Sequence, residues 1–324
     1  MHSFHSLLNL FEEKFSIRQF PTHTPSLYDP AQYILGLGGK RIRPVCVLMG
    51  NELFTEINDD AFLVATAIEL FHNFSLIHDD IMDKAPLRRG METVHTLFGE
   101  STAMLAGDVM FAQVYENLAR VKQEYVQKII LLFTKTAKEV CEGQQLDMDF
   151  EKREIVSLEE YLSMITLKTS VLLATSLQLG ALLGGAGEFN QNHLYEFGKN
   201  LGIAFQIQDD YLDAFGDPGK FGKQIGGDIL SNKKTFLMIH AMEKATAAQL
   251  KELKKLLSLD LSAREEKIEK VLQLFKDCKV DEWAQSLKEQ YLRTALDHLE
   301  DTAVLSARKV PLKELAGYLL SREK

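Results

Sequence analysis

Only seven prolines punctuate the 324 residues, and none falls between Pro86 and Pro218 or between Pro218 and Pro311. Proline breaks or kinks a helix because it lacks the N–H donor and its ring clashes with the preceding turn. These intervals therefore admit long uninterrupted helices. Apolar residues recur there at helical spacing, among many Ala, Leu, Glu and Lys, over residues 59–83, 101–121, 126–150, 157–183 and 192–215. Strand-like alternation is scarce. Breaks rich in Gly or Pro fall at 36–44, 84–90, 184–187 and 216–227, and none has the composition of an interdomain linker. The expectation is an all-α protein, with residues 1–324 forming a single large helical bundle around a central apolar cavity. A hydrophobic content of 46% is enough to bury such a core.

Two acidic clusters of identical spacing interrupt this apolar sequence: Asp79, Asp80 and Asp83, then Asp209, Asp210 and Asp213, about 130 residues later. On a helix each residue advances about 100°, so the first and last Asp of each cluster share a face one turn apart. A single cluster reads equally well as a solvated acidic turn or as helix-end carboxylates favoured by the macrodipole. Two shift the balance, because chance supplies one at roughly the few-percent level and two at roughly a few in a thousand. Both also follow apolar segments, at 74–78 and 203–208. Carboxylates set against apolar surface need partners, and hard divalent cations such as Mg²⁺ suit them. The two acidic helices are expected to face each other across the cavity.

A formal charge of −9 argues against a general nucleic-acid binder. Cys46, Cys141 and Cys278 are too dispersed for a metal site or a disulfide framework, which suits a reducing cytoplasm. No export signal is visible at the start of the chain. The stripe Phe4, Leu7, Leu8, Phe11 and Phe15 reads as core packing or a subunit contact, since its polar side is not strongly basic. Residues 169–187 are uncharged and nearly long enough to span a bilayer, but Gln178, internal hydroxyls and a glycine-rich end favour a buried central helix over a membrane span.

Basic residues accompany the acidic clusters: Lys40, Arg41 and Arg43 after Gly38-Gly39; Arg88 and Arg89; Lys168; and Lys223, Lys233 and Lys234. Singly each is a surface charge. Beside a Mg²⁺-binding pair they point to a strongly anionic substrate, and a diphosphate fits best. His72 alone on an apolar helix reads as a satisfied core histidine, yet seven residues before Asp79 it lies within about 20° of that residue's face.

In order and spacing, several motifs resemble the signature of the trans-isoprenyl diphosphate synthases, the polyprenyl synthetase family. They are the run 38–44 (Gly-Gly-Lys-Arg-Ile-Arg-Pro), the run from His72 through Arg89-Gly90, Gly143 to Asp147, Lys168-Thr169, Phe205-Gln206 through Asp213, and Gly222-Lys223 through Asn232-Lys233. The resemblance runs from about residue 30 onward and implies the isoprenoid-synthase helical fold. It also implies a homodimer and a prenyltransferase that elongates an allylic diphosphate head-to-tail with isopentenyl diphosphate. By that resemblance Asp79, Asp83 and Asp209 ligate a cluster of three Mg²⁺, supported by Asp80, Asp210 and Asp213. Arg88, Lys168, Lys223 and Lys233 contact the allylic diphosphate with Gln206 and Thr169 nearby. Lys40, Arg43, His72 and Arg89 hold isopentenyl diphosphate. His78 has no matching role and reads as structural.

In this family the side chains just before the first acidic motif form the floor that stops chain growth. Here they are Phe74 and Ser75, with Phe71 one turn earlier; helix geometry puts Ser75 about 40° and Phe74 about 140° from Asp79. The bulk of Phe71 and Phe74 favours a short product, geranylgeranyl diphosphate first and farnesyl diphosphate second. A class I terpene cyclase fits less well, because the second cluster repeats the first and Lys40, Arg43 and Arg89 supply a second diphosphate site. A noncatalytic synthase subunit would usually have lost acidic residues, and all six are present.

Overall fold

Helices fill the proline-free intervals. The computed structural model describes residues 1–216, 226–259 and 263–321; Pro218, Lys223 and residues 322–324 lie outside them. In chain order come α1 (Phe4–Phe15), α2 (Pro25–Gly36), α3 (Ile42–Glu52), α4 (Asp59–Met82), the strands β1 (Leu87–Arg88) and β2 (Met91–Glu92), α5 (Val94–Phe98), α6 (Glu100–Ala119) and α7 (Gln123–Lys152). Then come α8 (Leu158–Ile165), a π-helical turn (Thr166–Ser170), α9 (Val171–Leu183) and α10 (Glu188–Phe215). Further helices span Gly227–Leu230, Phe236–Lys244, Ala247–Leu257, Arg264–Asp277, Val280–Asp301 and Ser306–Leu320. The class is all-α, as expected, and each of the five periodic segments is helical.

Capping chemistry sets where the helices bearing functional residues begin. Asn58 accepts the Ala61 N–H at the start of α4, with Asp59 and Asp60 in the first turn beside the positive dipole end. A reciprocal capping box of Ser157 and Glu160 starts α8. The 84–90 break is a tight hairpin whose turn residues Arg89 and Gly90 both have positive φ, 55° and 78°, as a two-residue turn with right-handed strand twist demands. Strands of two residues are too short to leave a periodicity.

The chain divides into two compact units, each assembled from separated stretches: residues 1–137, 172–195 and 300–312 in one, and 138–171, 196–299 and 313 onward in the other. In the first unit Phe4, Leu7, Phe11 and Phe15 of α1 are buried and the helix packs on α3, so the N-terminal stripe is core. α4 packs on α3 and α6, and Phe71, Phe74, Phe111, Tyr115 and Phe133 interlock as an aromatic cluster. The second unit is centred on Phe150, Tyr161, Ile203, Ile207, Phe236, Val271 and Phe275. Two helical runs, Asp59–Met82 and Leu158–Leu183, are long and apolar enough to cross a bilayer, but 56% and 78% of their apolar windows are buried inside the protein. That burial marks core helices, as expected for the 169–187 segment.

Candidate active site

Both acidic clusters sit at helix C-termini. Asp79 and Asp80 occupy the last turn of α4 and Asp83 caps it, its N–H donating to the Asp79 carbonyl at 2.8 Å. Asp209, Asp210 and Asp213 lie in the last two turns of α10. The macrodipole is negative at that end and disfavours carboxylates. The helix-dipole explanation of the clusters therefore has the wrong sign, and the repulsion must be offset by other partners.

In the first unit Asp80 is buried and accepts two hydrogen bonds from Arg88, from Nε and Nη2, each at 2.7 Å. The next residue of the hairpin, Arg89, lays its guanidinium against Gly39. A methyl group at position 39 would stand 3.0 Å from Arg89 Nη2, and φ there is +149°. Arg43 Nη1 donates to His72 Nε2 at 3.2 Å. Burial, and then the positive fields of Arg43, Arg89, Arg88 and Arg41, hold the His72 imidazole well below its ordinary pKa, so the ring is neutral. Lys40, one residue before Arg41, is exposed. Lys40, Arg43, His72, Asp79, Asp80, Asp83, Arg88 and Arg89 all belong to the first unit.

In the second unit Asp210 is buried and accepts from the Tyr161 hydroxyl and from Gln206 Nε2, the latter at 2.9 Å. Burial pushes its carboxyl up to about 6, against the opposing pull of Lys233 and these two donors. Asp213 Oδ2 accepts the Asp228 N–H at 3.0 Å. Burial likewise raises Asp228 to about 7; Lys233 opposes the rise, while Asp210, Asp213 and Asp147 add to it. Thr169 Oγ1 donates to Gln206 Oε1 at 3.3 Å, and Lys168 Nζ to Asp147 Oδ2 at 2.6 Å. Both residues belong to the π-helical turn, a distortion that recurs at functional sites. Gly143 makes room for it. A Cβ there would fall 2.2 Å from the Lys168 backbone nitrogen, so α7 can reach this turn only through glycine. Lys168, Thr169, Gln206, Asp209, Asp210, Asp213 and Lys233 all belong to this unit, while Lys223 lies outside the described residues.

The donor set fits a hard divalent cation: carboxylates clustered at the ends of α4 and α10, with Asp210 and Asp228 raised by burial and neighbouring carboxylates, and Arg or Lys side chains near each cluster. Among the described residues no three His, Cys, Asp or Glu side chains converge as a ready-made cage. Mg²⁺ often takes one or two carboxylates and completes its shell with water and substrate phosphates.

Three residues beyond the sequence assignment enter the site. Asp228 lies inside the 222–233 motif, where an acid amid glycines was a usable signal, and Asp147 stands in the 143–147 motif without a stated role. Tyr161 left no signal, since an aromatic at a core position looks like packing. Of the residues proposed for chain length, Phe71 is fully buried, Phe74 stacks on Phe111 with ring centres 5.0 Å apart, and Ser75 Oγ donates to the His72 carbonyl at 2.8 Å. His78 packs on Phe74 and approaches the Met104 carbonyl at 3.3 Å.

Residues 24–275 match the family model described as polyprenyl synthetase. A geranylgeranyl pyrophosphate synthase of Geoglobus acetivorans is 40% identical over 299 residues, covering 92% of this chain and 91% of that protein. A short chain isoprenyl diphosphate synthase of Methanothermobacter thermautotrophicus is 38% identical over 299 residues, with coverage of 92% and 91%. A crystal structure of a geranylgeranyl pyrophosphate synthase superposes with a TM-score of 0.95 at 42% identity, over 100% of both chains.

Proposed function

The chain belongs to the polyprenyl synthetase family, and on that premise we propose that it is a short-chain isoprenyl diphosphate synthase. It condenses isopentenyl diphosphate head-to-tail with allylic diphosphates, with geranylgeranyl diphosphate as its main product. The observation that carries this reading is the pair of carboxylate clusters held at the dipole-disfavoured ends of α4 and α10, each accompanied by Arg or Lys. Residues 1–324 act here as one catalytic domain.

In this reading Asp79, Asp83 and Asp209 hold Mg²⁺, which when bound stabilises negative charge on the departing diphosphate. Arg88, aimed by Asp80, and Lys168, aimed by Asp147, neutralise the same leaving group together with Lys223 and Lys233. Lys40, Arg43 and Arg89 grip isopentenyl diphosphate. The neutral His72 adds a hydrogen bond without adding charge. As the allylic C–O bond breaks, the isopentenyl double bond forms the new C–C bond, and the departing diphosphate takes the proton that is lost. Apolar walls exclude water, which would capture the cation. Phe71, Phe74 and Ser75 limit the product.

The same reading includes a cytoplasmic homodimer. Its support is the exposure of the apolar side chains Met91, Leu97, Met104 and Leu105 on β2, α5 and α6, which a second copy could cover.

The test is an assay with Mg²⁺ and labelled isopentenyl diphosphate, offering dimethylallyl, geranyl or farnesyl diphosphate in turn. Geranylgeranyl diphosphate is expected, and Asp79→Ala or Asp209→Ala should abolish elongation with the fold intact. Farnesyl diphosphate as the end product would shift the assigned length. Cyclic hydrocarbon from an allylic substrate alone would replace this reading with a terpene cyclase, and near-normal rates in the Asp variants would remove the metal assignment.

A further inference from the structure

Arg41 stands in sequence between Lys40 and Arg43, the two cations assigned to isopentenyl diphosphate, but its own side chain is buried, only 3% exposed. Its Nη1 donates to Glu69 Oε1 at 2.5 Å, its Nε to Glu12 Oε1 at 2.8 Å and its Nη2 to the Leu35 carbonyl at 2.9 Å. Every nitrogen of the guanidinium is thus committed to protein, and its plane lies over Phe15. Glu69 is as deeply buried, at 2% exposure, and also accepts from Asn73 Nδ2 at 2.8 Å. The backbone leading into this contact is unusual: Gly38, Gly39 and Arg41 all have positive φ, at 75°, 149° and 47°. A non-glycine residue rarely holds that conformation unless surrounding contacts over-determine it.

We propose that Arg41 and Glu69 are positioning residues for the isopentenyl diphosphate half of the site, a buried ion pair that fixes residues 40–43, at the start of α3, in register with the turn of α4 that bears His72. Glu69 and His72 lie three residues apart on α4 and so on neighbouring faces of one turn. Arg41 lies between Lys40 and Arg43. The pair therefore ties the backbone of one set of ligand-binding groups to the helix carrying the other, and the Arg43–His72 hydrogen bond of 3.2 Å reports the resulting alignment. Stability alone accounts poorly for such a pair, because well-packed apolar residues often replace a buried ion pair without loss. The inference rests on the assignment of Lys40, Arg43 and His72 to isopentenyl diphosphate.

Arg41→Met combined with Glu69→Leu removes both charges and strands neither, while Glu69→Gln alone keeps the shape of the acceptor. Each variant is assayed with isopentenyl diphosphate varied at saturating allylic substrate, then the reverse, alongside thermal unfolding. The expected result is a KM for isopentenyl diphosphate raised about tenfold or more, with the allylic KM changed by about twofold at most. An unchanged isopentenyl KM in variants folded at the assay temperature overturns the proposal, as does an equal rise in both KM values. If the double variant fails to fold, Glu69→Gln decides alone. Arg43→Gln separates this inference from its premise. A raised isopentenyl KM there, with none in the Arg41 and Glu69 variants, defeats the positioning role alone; no rise there defeats the site assignment and the positioning role with it.

Discussion

Asp80 and Arg88 form a two-pronged contact in which both carboxylate oxygens accept from one guanidinium at 2.7 Å. Asp80 is 2% exposed, whereas Arg88 retains 26% exposure and can still reach a ligand. The middle Asp of the first motif is therefore committed to a protein cation, with Asp79 and Asp83 on either side of it along the chain. Asp80→Ala should then differ in kind from Asp79→Ala. It breaks a partly buried charged fork, costing about 3 kcal/mol of stability, and frees Arg88 to wander, raising the KM for the allylic diphosphate. Asp79→Ala should remove turnover with little change in melting temperature. Calorimetry beside steady-state kinetics checks this, and equal melting temperatures for the two variants would count against the assignment.

The second motif should reveal itself through pH. Burial holds the carboxyl groups of Asp210 and Asp228 up at about 6 and about 7, above the unfolded-chain value near 3.9. From about pH 4 to 7 the folded protein keeps protons that the unfolded chain has released, so these groups make stability fall as pH rises through that window. Asp228→Asn removes one of them. In EDTA the variant's melting temperature should gain on the wild type between pH 5 and pH 8. A constant difference across that range would mean that Asp228 is already ionised at pH 5.

The fold was legible because helices here rest on long-range periodicity and on prolines that are missing, both visible in one dimension. The acidic clusters were legible because their chemistry is written within five residues. What escaped depends on contacts between distant segments. The Tyr161–Asp210 bond spans 49 residues, and the Arg41–Glu69 pair spans 28. Arg41 shows the difficulty: three basic residues cluster in 40–43, and sequence offers no way to see that the middle one turns inward. The close approach of α7 at Gly143 to the π-helical turn at Lys168 was equally hidden, because it joins segments 25 residues apart rather than following any local pattern.

That approach gives a sharp expectation for Gly143→Ala. The added methyl would meet the Lys168 nitrogen at 2.2 Å, against backbone that cannot rotate aside. Overpacking of this kind costs roughly 1–3 kcal/mol. The displaced π turn should also loosen the Lys168–Asp147 contact and raise the allylic KM. Denaturant unfolding and kinetics together check it; a variant as stable as the wild type would show that α7 moves more freely than this packing indicates.

Product length should depend on two rings rather than one. Phe74 is half-buried on α4 and stacks on Phe111 of α6 at 5.0 Å with a 24° tilt. Phe111 in turn packs edge-to-face on Tyr115, and Phe71 on Phe133, so the stack is braced from behind. Phe74→Ala alone opens space in front of a ring that still stands, and is expected to lengthen the product modestly. Phe111→Ala should let Phe74 tilt back and lengthen it as well, although position 111 lies far in sequence from the acidic motif. The double variant should extend the product further than either alone, because only then is the stack removed. Chromatography of the dephosphorylated alcohols from labelled isopentenyl diphosphate reads all three outcomes. An unchanged distribution in the double variant would take this aromatic stack out of the proposed floor and leave Ser75, on the face nearer Asp79, as the side chain that meets the growing end.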